Sequence, residues 1–346
     1  MNYQPINSCD GKYKSIDVHF TSNCPHSCKW CVADKIKPHN DGKPNPDAIL
    51  KSIISNDEGD KEDVLIMGGE PFLYPEELLE LVKGIKRCTA LKVYITTSMP
   101  AIIDVYDSNT LHDILAWADG LNISIQHYDE AIADKMRGTK SEFDRQGLYE
   151  NMPFKNKIRI NINLVKGYLD TWKDIVECVK HYDRMRFNAI KISELQHKPE
   201  WYVNFEEIFE VELDAPFSRG CQTVLTAPEL KDITTPIILK RSCYLVESSL
   251  KPSEDCIKKY NEYKADNKFM VIYEDGTVAN RWICEEETPV DEASKILELT
   301  KKLKETETEL AKYRAMEESS KSLKEARNGT ISHDCHSGRG SRTGHC

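Results

Sequence analysis

The chain has 346 residues, 40% hydrophobic and 30% charged, with a formal net charge of −10. That is enough for a sizeable core and about two domains at roughly 150 residues each, and too ordinary a balance for a collagen-like or globally disordered chain. The acidic excess argues against a general nucleic-acid or membrane-surface binder, and no run of about 18 apolar residues predicts a membrane span.

The segment Met1–Ser15 lacks a basic stretch followed by an apolar one, so no signal peptide is read and a cytoplasmic location is expected. Thiols stay reduced there, and 12 cysteines are more than a core needs. Metal binding or catalysis is the expected use, with spacing as the arbiter.

In chain order, β-prone runs fall at Ile16–Phe20, Val64–Met67, Val93–Thr97, Leu121–Ile125, Ile158–Val165 and Ala189–Ile192. Helical patterns fall between them at Pro46–Ser55, Pro75–Arg87, Thr110–Trp117, Ser141–Asn151 and Thr171–Tyr182. Several open on a proline or a polar cap, as at Tyr74-Pro75 and Asp170-Thr171. This alternation predicts an α/β fold of parallel βαβ units, a partial (β/α)6 barrel over residues 1–200. A full eight-stranded barrel competes, but the rhythm stops after the sixth strand.

Residues 201–290 read as a small C-terminal α+β domain. Its clearest element is a hairpin, Phe269–Tyr273 and Thr277–Ile283 around Glu274-Asp275-Gly276. Residues 291–330 predict a long charged helix. Ile296, Leu299, Leu303, Leu310 and Tyr313 keep a heptad, but Thr306, Glu317 and Ser320 break it. It reads as a solvated helix or as one for self-association. Residues 331–346, rich in Gly, Ser and His, read as a flexible tail.

The segment that carries chemistry is Cys24-Pro-His-Ser-Cys28-Lys-Trp-Cys31, directly after the first strand. Three thiols on one loop can converge on a soft metal. Structural zinc needs a fourth ligand, such as His26 or a distant cysteine, whereas an iron–sulfur cube held by three thiolates leaves one iron open. The second strand ends in Gly68-Gly69-Glu70-Pro71. The glycines allow close approach of a ligand, and Glu70 is a partner for an ammonium group.

Together these motifs resemble the radical S-adenosylmethionine (SAM) superfamily: its Cys-x3-Cys-x2-Cys at Cys24, Cys28 and Cys31 with the aromatic Trp30, and its Gly-Gly-Glu-Pro at Gly68–Pro71. The resemblance implies a [4Fe–4S] cluster that chelates SAM and cleaves it to methionine and a 5′-deoxyadenosyl radical, which takes hydrogen from the substrate. It implies a one-electron donor of flavodoxin or ferredoxin type. The branch of closest pattern is that of the SPASM/twitch peptide-modifying enzymes and the molybdopterin-type GTP cyclase. The resemblance runs to about residue 197. It departs at Ser98-Met99, where relatives read Asn-Gly, and at Gln126-His127, where many carry an acid. By analogy Ser124 and Gln126 face the SAM ribose, Arg137 its carboxylate, and Val165 and Leu195 the adenine. His127 is a weak candidate for substrate contact or acid–base work, against a plain hydrogen-bonded histidine.

Among relatives with peptide substrates, a hairpin like this one precedes a ligand of an auxiliary cluster. Cys284 with Cys221, Cys243 and Cys256 is such a set, although no Cys-x2-Cys is present, and unliganded thiols are the other reading. Cys88 and Cys178 are expected in the core and Cys9 to be incidental. The tail's His333, Cys335, His336, His345 and Cys346 read as a disordered end with adventitious metal affinity. The expected substrate is a peptide or protein side chain. A nucleotide or nucleobase is the alternative, and a non-catalytic zinc scaffold a remote one.

Overall fold

A computed structural model describes residues 15–36, 38–100, 109–139, 144–195, 199–209, 222–240 and 270–279. Cys9, Cys221, Cys243, Cys256 and Cys284, the long charged helix and the tail lie outside the described residues.

Six parallel strands form the centre of one sheet: β1 Ser15–Thr21, β2 Asp63–Gly68, β3 Lys92–Thr97, β4 Gly120–Ile125, β5 Ile158–Asn163 and β6 Ala189–Ser193. They pair in sequence order. Between them run α1 Pro46–Asn56, α2 Pro75–Cys88, α3 Thr110–Trp117, α4 Glu130–Arg137, α5 Arg145–Asn151 and α6 Trp172–Asp183, with a short α7, Phe205–Phe209, after β6. The caps are the ones the residues suggest. Asn45 accepts from the amide of Ala48 and Thr171 from that of Asp174, while Asp129 accepts from Ala131 and Ile132. The sheet is open, so the architecture is a partial (β/α) barrel with every βα loop at one end.

The described strands from 201–290 extend this same sheet at both edges. β8 Ile237–Lys240 pairs parallel with β6 and carries β7 Gln222–Val224 antiparallel. β9 Val271–Ile272 pairs parallel with β1 and carries β10 Val278–Ala279. Both edges of the six-strand core would otherwise offer unpaired backbone; the added strands cover them.

Alternation divides each strand. Ile16, Val18 and Phe20, Leu121, Ile123 and Ile125, Ile158, Ile160 and Ile162, and Ile190 and Ile192 all point into the main core under the helices. The intervening residues therefore line the opposite, inner face: Asp17, His19 and Thr21 on β1, Asn122 and Ser124 on β4, Arg159, Asn161 and Asn163 on β5, Lys191 and Ser193 on β6. Cys178 is fully buried in the core as expected. Cys88 is not: it closes α2 and is exposed, because the last turn rotates off the buried stripe of Leu78, Leu81, Val82 and Ile85. No helix among the described residues is long and apolar enough to cross a membrane.

Candidate cluster and cofactor site

The three-cysteine loop leaves the C-terminal end of β1 and is tied down on two sides. On one side the amide of Gly69 donates to the Thr21 carbonyl at 2.6 Å, and that of Glu70 to the Asn23 carbonyl at 2.9 Å. On the other the amide of Ser27, between Cys24 and Cys28, donates to the carbonyl of Arg137 at the end of α4, 2.8 Å away. A Cβ on Gly68 would collide with the Thr21 carbonyl oxygen, one on Gly69 with that of Asn23, and one on Gly138 with the Ser27 hydroxyl. Gly68 and Gly69 thus admit the loop's own backbone, and Gly138 the Ser27 side chain. Gly68 (φ 143°) and Gly138 (φ 67°) also have backbone conformations that side chains disfavour.

Cys24 is exposed and Cys28 and Cys31 are half-buried, all with free thiols. Burial pushes the Cys28 thiol up to about 12, with Cys31 and Cys24 within electrostatic reach. Three neighbouring thiolates on a loop require a cation to hold them together, and iron would supply it. Among the described residues no group of three His, Cys, Asp or Glu is drawn together as a metal site, the three loop cysteines included. Burial, with the charges of Arg137 and Arg145, lowers the pKa of His26 to about 4, so the imidazole is neutral. Its Nδ1 lies 3.4 Å from the Thr139 hydroxyl.

Glu70 is fully buried. Oε1 accepts from the Phe72 amide (3.0 Å) and the Thr97 hydroxyl (2.6 Å), and Oε2 from the amide (2.8 Å) and hydroxyl (2.5 Å) of Ser98. All four acceptor positions of the carboxylate are filled. Glu70 ties β2 to the end of β3, and an ammonium group would reach it only by displacing one of these donors. Burial raises its pKa against those hydrogen bonds. Ser98-Met99, the departure from Asn-Gly, has a visible consequence: Met99 is buried at φ 52°, held by Arg145 Nε on its carbonyl at 3.1 Å and by its amide on Thr97 Oγ1 at 2.9 Å.

Beneath the loop lies a charged pair of arginines. Arg137 donates from Nη2 to Asp134 (2.7 Å) and Glu130 (3.0 Å), and from Nη1 to the Gln126 side-chain oxygen (3.0 Å). Arg145 donates to Glu130 (3.0 Å) and Asp134 (3.4 Å). Both arginines are buried, and Arg137 Nε has no hydrogen-bond partner. This orphaned donor fits an anionic group such as the carboxylate of SAM.

Trp30, Val165 and Leu195 form one apolar cluster with Met136, and Cys28, Tyr168 and Trp201 pack against it. The Trp30 ring lies 6.0 Å from Tyr168 and 6.1 Å from Trp201. Three expected cofactor residues from three elements therefore meet beside Cys28. Ser124 is half-buried on the inner face of β4, opposite Asn161. His127 is buried and its Nδ1 accepts from the Asp129 amide at 2.9 Å, while its ring stacks on Tyr128. Burial lowers its pKa, so at neutral pH it is an uncharged, locally bonded histidine.

Sequence reasoning did not single out Ser27, Thr97, Arg145, Glu130, Asp134 or Glu274 as site residues. Glu274, in the hairpin turn, accepts from Ser22 Oγ (2.7 Å) and the His39 amide (3.0 Å), and lies 3.1 Å from His19 Nδ1. It braces the root of the cysteine loop at Ser22, 252 residues away in sequence, a pairing that no local motif reports.

An open parallel (β/α) barrel with a three-cysteine loop after β1 is the class that fold and site define. Residues 18–182, just under half of the chain, match the family model of the Radical SAM superfamily. The superfamily uses a [4Fe–4S] cluster and SAM. No curated protein matches the sequence. Among solved structures, Streptococcus suis SuiB bound to S-adenosylmethionine matches with a TM-score of 0.53 at 17% identity, over 80% of this chain and 61% of that one. SuiB bound to its precursor peptide SuiA matches at 0.51 and 15%, over 78% and 59%. These likenesses support the fold. The chain spans about three fifths of the length of those structures.

Proposed function

We propose that the chain is a radical SAM enzyme acting on a peptide or protein side chain. The observation that carries the radical SAM reading is the suspension of the cysteine loop between Gly69–Glu70 and Arg137, with the Trp30–Val165–Leu195 patch beside Cys28. Cys24, Cys28 and Cys31 would hold the cluster. The orphaned Nε of Arg137 would take the SAM carboxylate, and the apolar patch would cover the adenine. When bound, cluster and SAM supply reductive cleavage of the sulfonium and, through it, hydrogen abstraction. The protein's share is to fix the loop, keep two cations near the carboxylate and exclude water with Trp30, Tyr168 and Trp201. The fold shared with SuiB, seen with a precursor peptide, supports the peptide over the nucleotide.

The test is anaerobic reconstitution with iron and sulfide, then dithionite and SAM, with 5′-deoxyadenosine and methionine quantified. Wild type forms both and Cys28→Ala forms neither; equal traces in the two end the reading. Iron content addresses Cys221, Cys243, Cys256 and Cys284: about eight per chain, falling to about four in Cys284→Ala, fits an auxiliary cluster.

A further inference from the structure

Residues beyond 182 lie outside the family match, and β6 and β8 are among them. β6 pairs parallel with β5 on one side and with β8 on the other, and the registers bring Asn163, Ser193 and Lys240 into one row at the C-terminal ends of the three strands. All three belong to the inner face, because the residues before them, Ile162, Ile192 and Leu239, point into the main core. At about 4.8 Å between strands the row is about 10 Å long. Asn163 and Ser193 stand two residues before Val165 and Leu195, so the row lies on the barrel side of the apolar patch.

Its polar groups lack partners. Ser193 is 8% exposed and its hydroxyl makes no hydrogen bond; buried polar atoms are rarely left so. The half-buried Lys240 has no hydrogen bond or ion pair among the described residues. Arg159 and Lys191, on the same face, already interact within the chain and take no part. The unmet groups are a hydroxyl that can give a hydrogen bond and an ammonium that can only give one, so a ligand seated here brings the acceptor. An ionised oxygen suits both, since hydrogen bonds to a charged acceptor are about twice as strong as neutral ones. The flexible four-carbon stem of Lys240 lets its ammonium meet a group seated on Ser193. A carboxylate offers one oxygen to each, and the Asn163 amide, donor and acceptor together, suits the peptide group beside it.

We propose that the row Asn163–Ser193–Lys240 seats a carboxylate of the substrate peptide, from an Asp or Glu side chain or from the C-terminus. The proposal rests on the peptide reading above and names the group by which the peptide is held in the barrel.

The test pans two randomised peptide libraries, one with its C-terminus blocked by fusion and one with it free, against reconstituted holoenzyme of wild type, Lys240→Met and Lys240→Glu. Thermal melts confirm that each variant folds, and SAM affinity is measured for each. Wild type should enrich Asp or Glu at one position of the blocked library by about tenfold or more, the worth of one charged hydrogen bond; a C-terminal carboxylate instead gives that enrichment to the free library alone. Lys240→Met should weaken whichever preference appears and Lys240→Glu should abolish it. Peptides enriched with no carboxylate preference, or with one that survives Lys240→Glu, overturn the inference and leave the peptide reading standing. A tenfold loss of SAM affinity in Lys240→Glu gives the row to the cofactor and overturns it too. No peptide enriched from either library overturns both.

Discussion

Gly69 and Glu274 act on the cysteine loop from opposite sides, and each makes a measurable prediction. A methyl group on Gly69 would meet the Asn23 carbonyl, which is backbone and cannot swing away, so Gly69→Ala displaces the loop at a cost of about 1–3 kcal/mol. The expected result is a folded protein, by circular dichroism, that takes up less than half the wild-type iron on reconstitution. Full iron content would mean the glycine is there for other reasons. Glu274 is a matter of pH. Burial pushes its carboxyl up, but the hydrogen bonds from His19, Ser22 and the His39 amide prevail and its pKa is lowered. A carboxylate depressed in the folded state contributes stability that is complete above the unfolded value of about 4.3 and is lost as pH falls through the lower folded value. Melting temperature should therefore drop below about pH 4 in wild type, while Glu274→Gln melts lower at neutral pH and has a flatter acid limb. Parallel curves would remove Glu274 from the account.

At the scale of elements, the arginine pair joins α4 and α5 to the end of β3. Two buried guanidiniums share Glu130 and Asp134, and Arg145 also holds the left-handed Met99, a conformation that costs a side-chain-bearing residue about 1–2 kcal/mol. Arg145→Met leaves the acids with one cation; because Glu130 is 37% exposed and Arg137 remains, the loss is expected at about 1–3 kcal/mol. A fall of that size in denaturant unfolding is expected, against a change under 1 kcal/mol if the network is dispensable. The strands and most helices were legible in the sequence because period-2 and period-3.6 patterns and their caps are local. Val64–Met67 and Thr110–Trp117 needed nothing beyond their neighbours. α4 was read only as an Arg-Gly motif, since eight residues with four charges make little more than two turns and too short a pattern to stand out. β7 to β10 were legible only as the β9–β10 hairpin, because which sheet a short strand joins is decided by edge pairing at a distance.

At the scale of the whole molecule, the candidate site lies in the loops at the C-terminal ends of the strands. Its motifs were legible in Cys24–Cys31 and Gly68–Pro71, because close chemical spacing survives in sequence. The polar inner face was not, since Asn161 and Lys191 become neighbours only once β5 and β6 lie in register. What most directly tests the account is low-temperature electron paramagnetic resonance of the reconstituted, dithionite-reduced protein, recorded with and without SAM. A reduced [4Fe–4S] signal whose g-values shift on adding SAM, and which is absent when Cys24, Cys28 and Cys31 are all alanine, is the result predicted. A signal indifferent to SAM, or one that survives loss of the three cysteines, would contradict it.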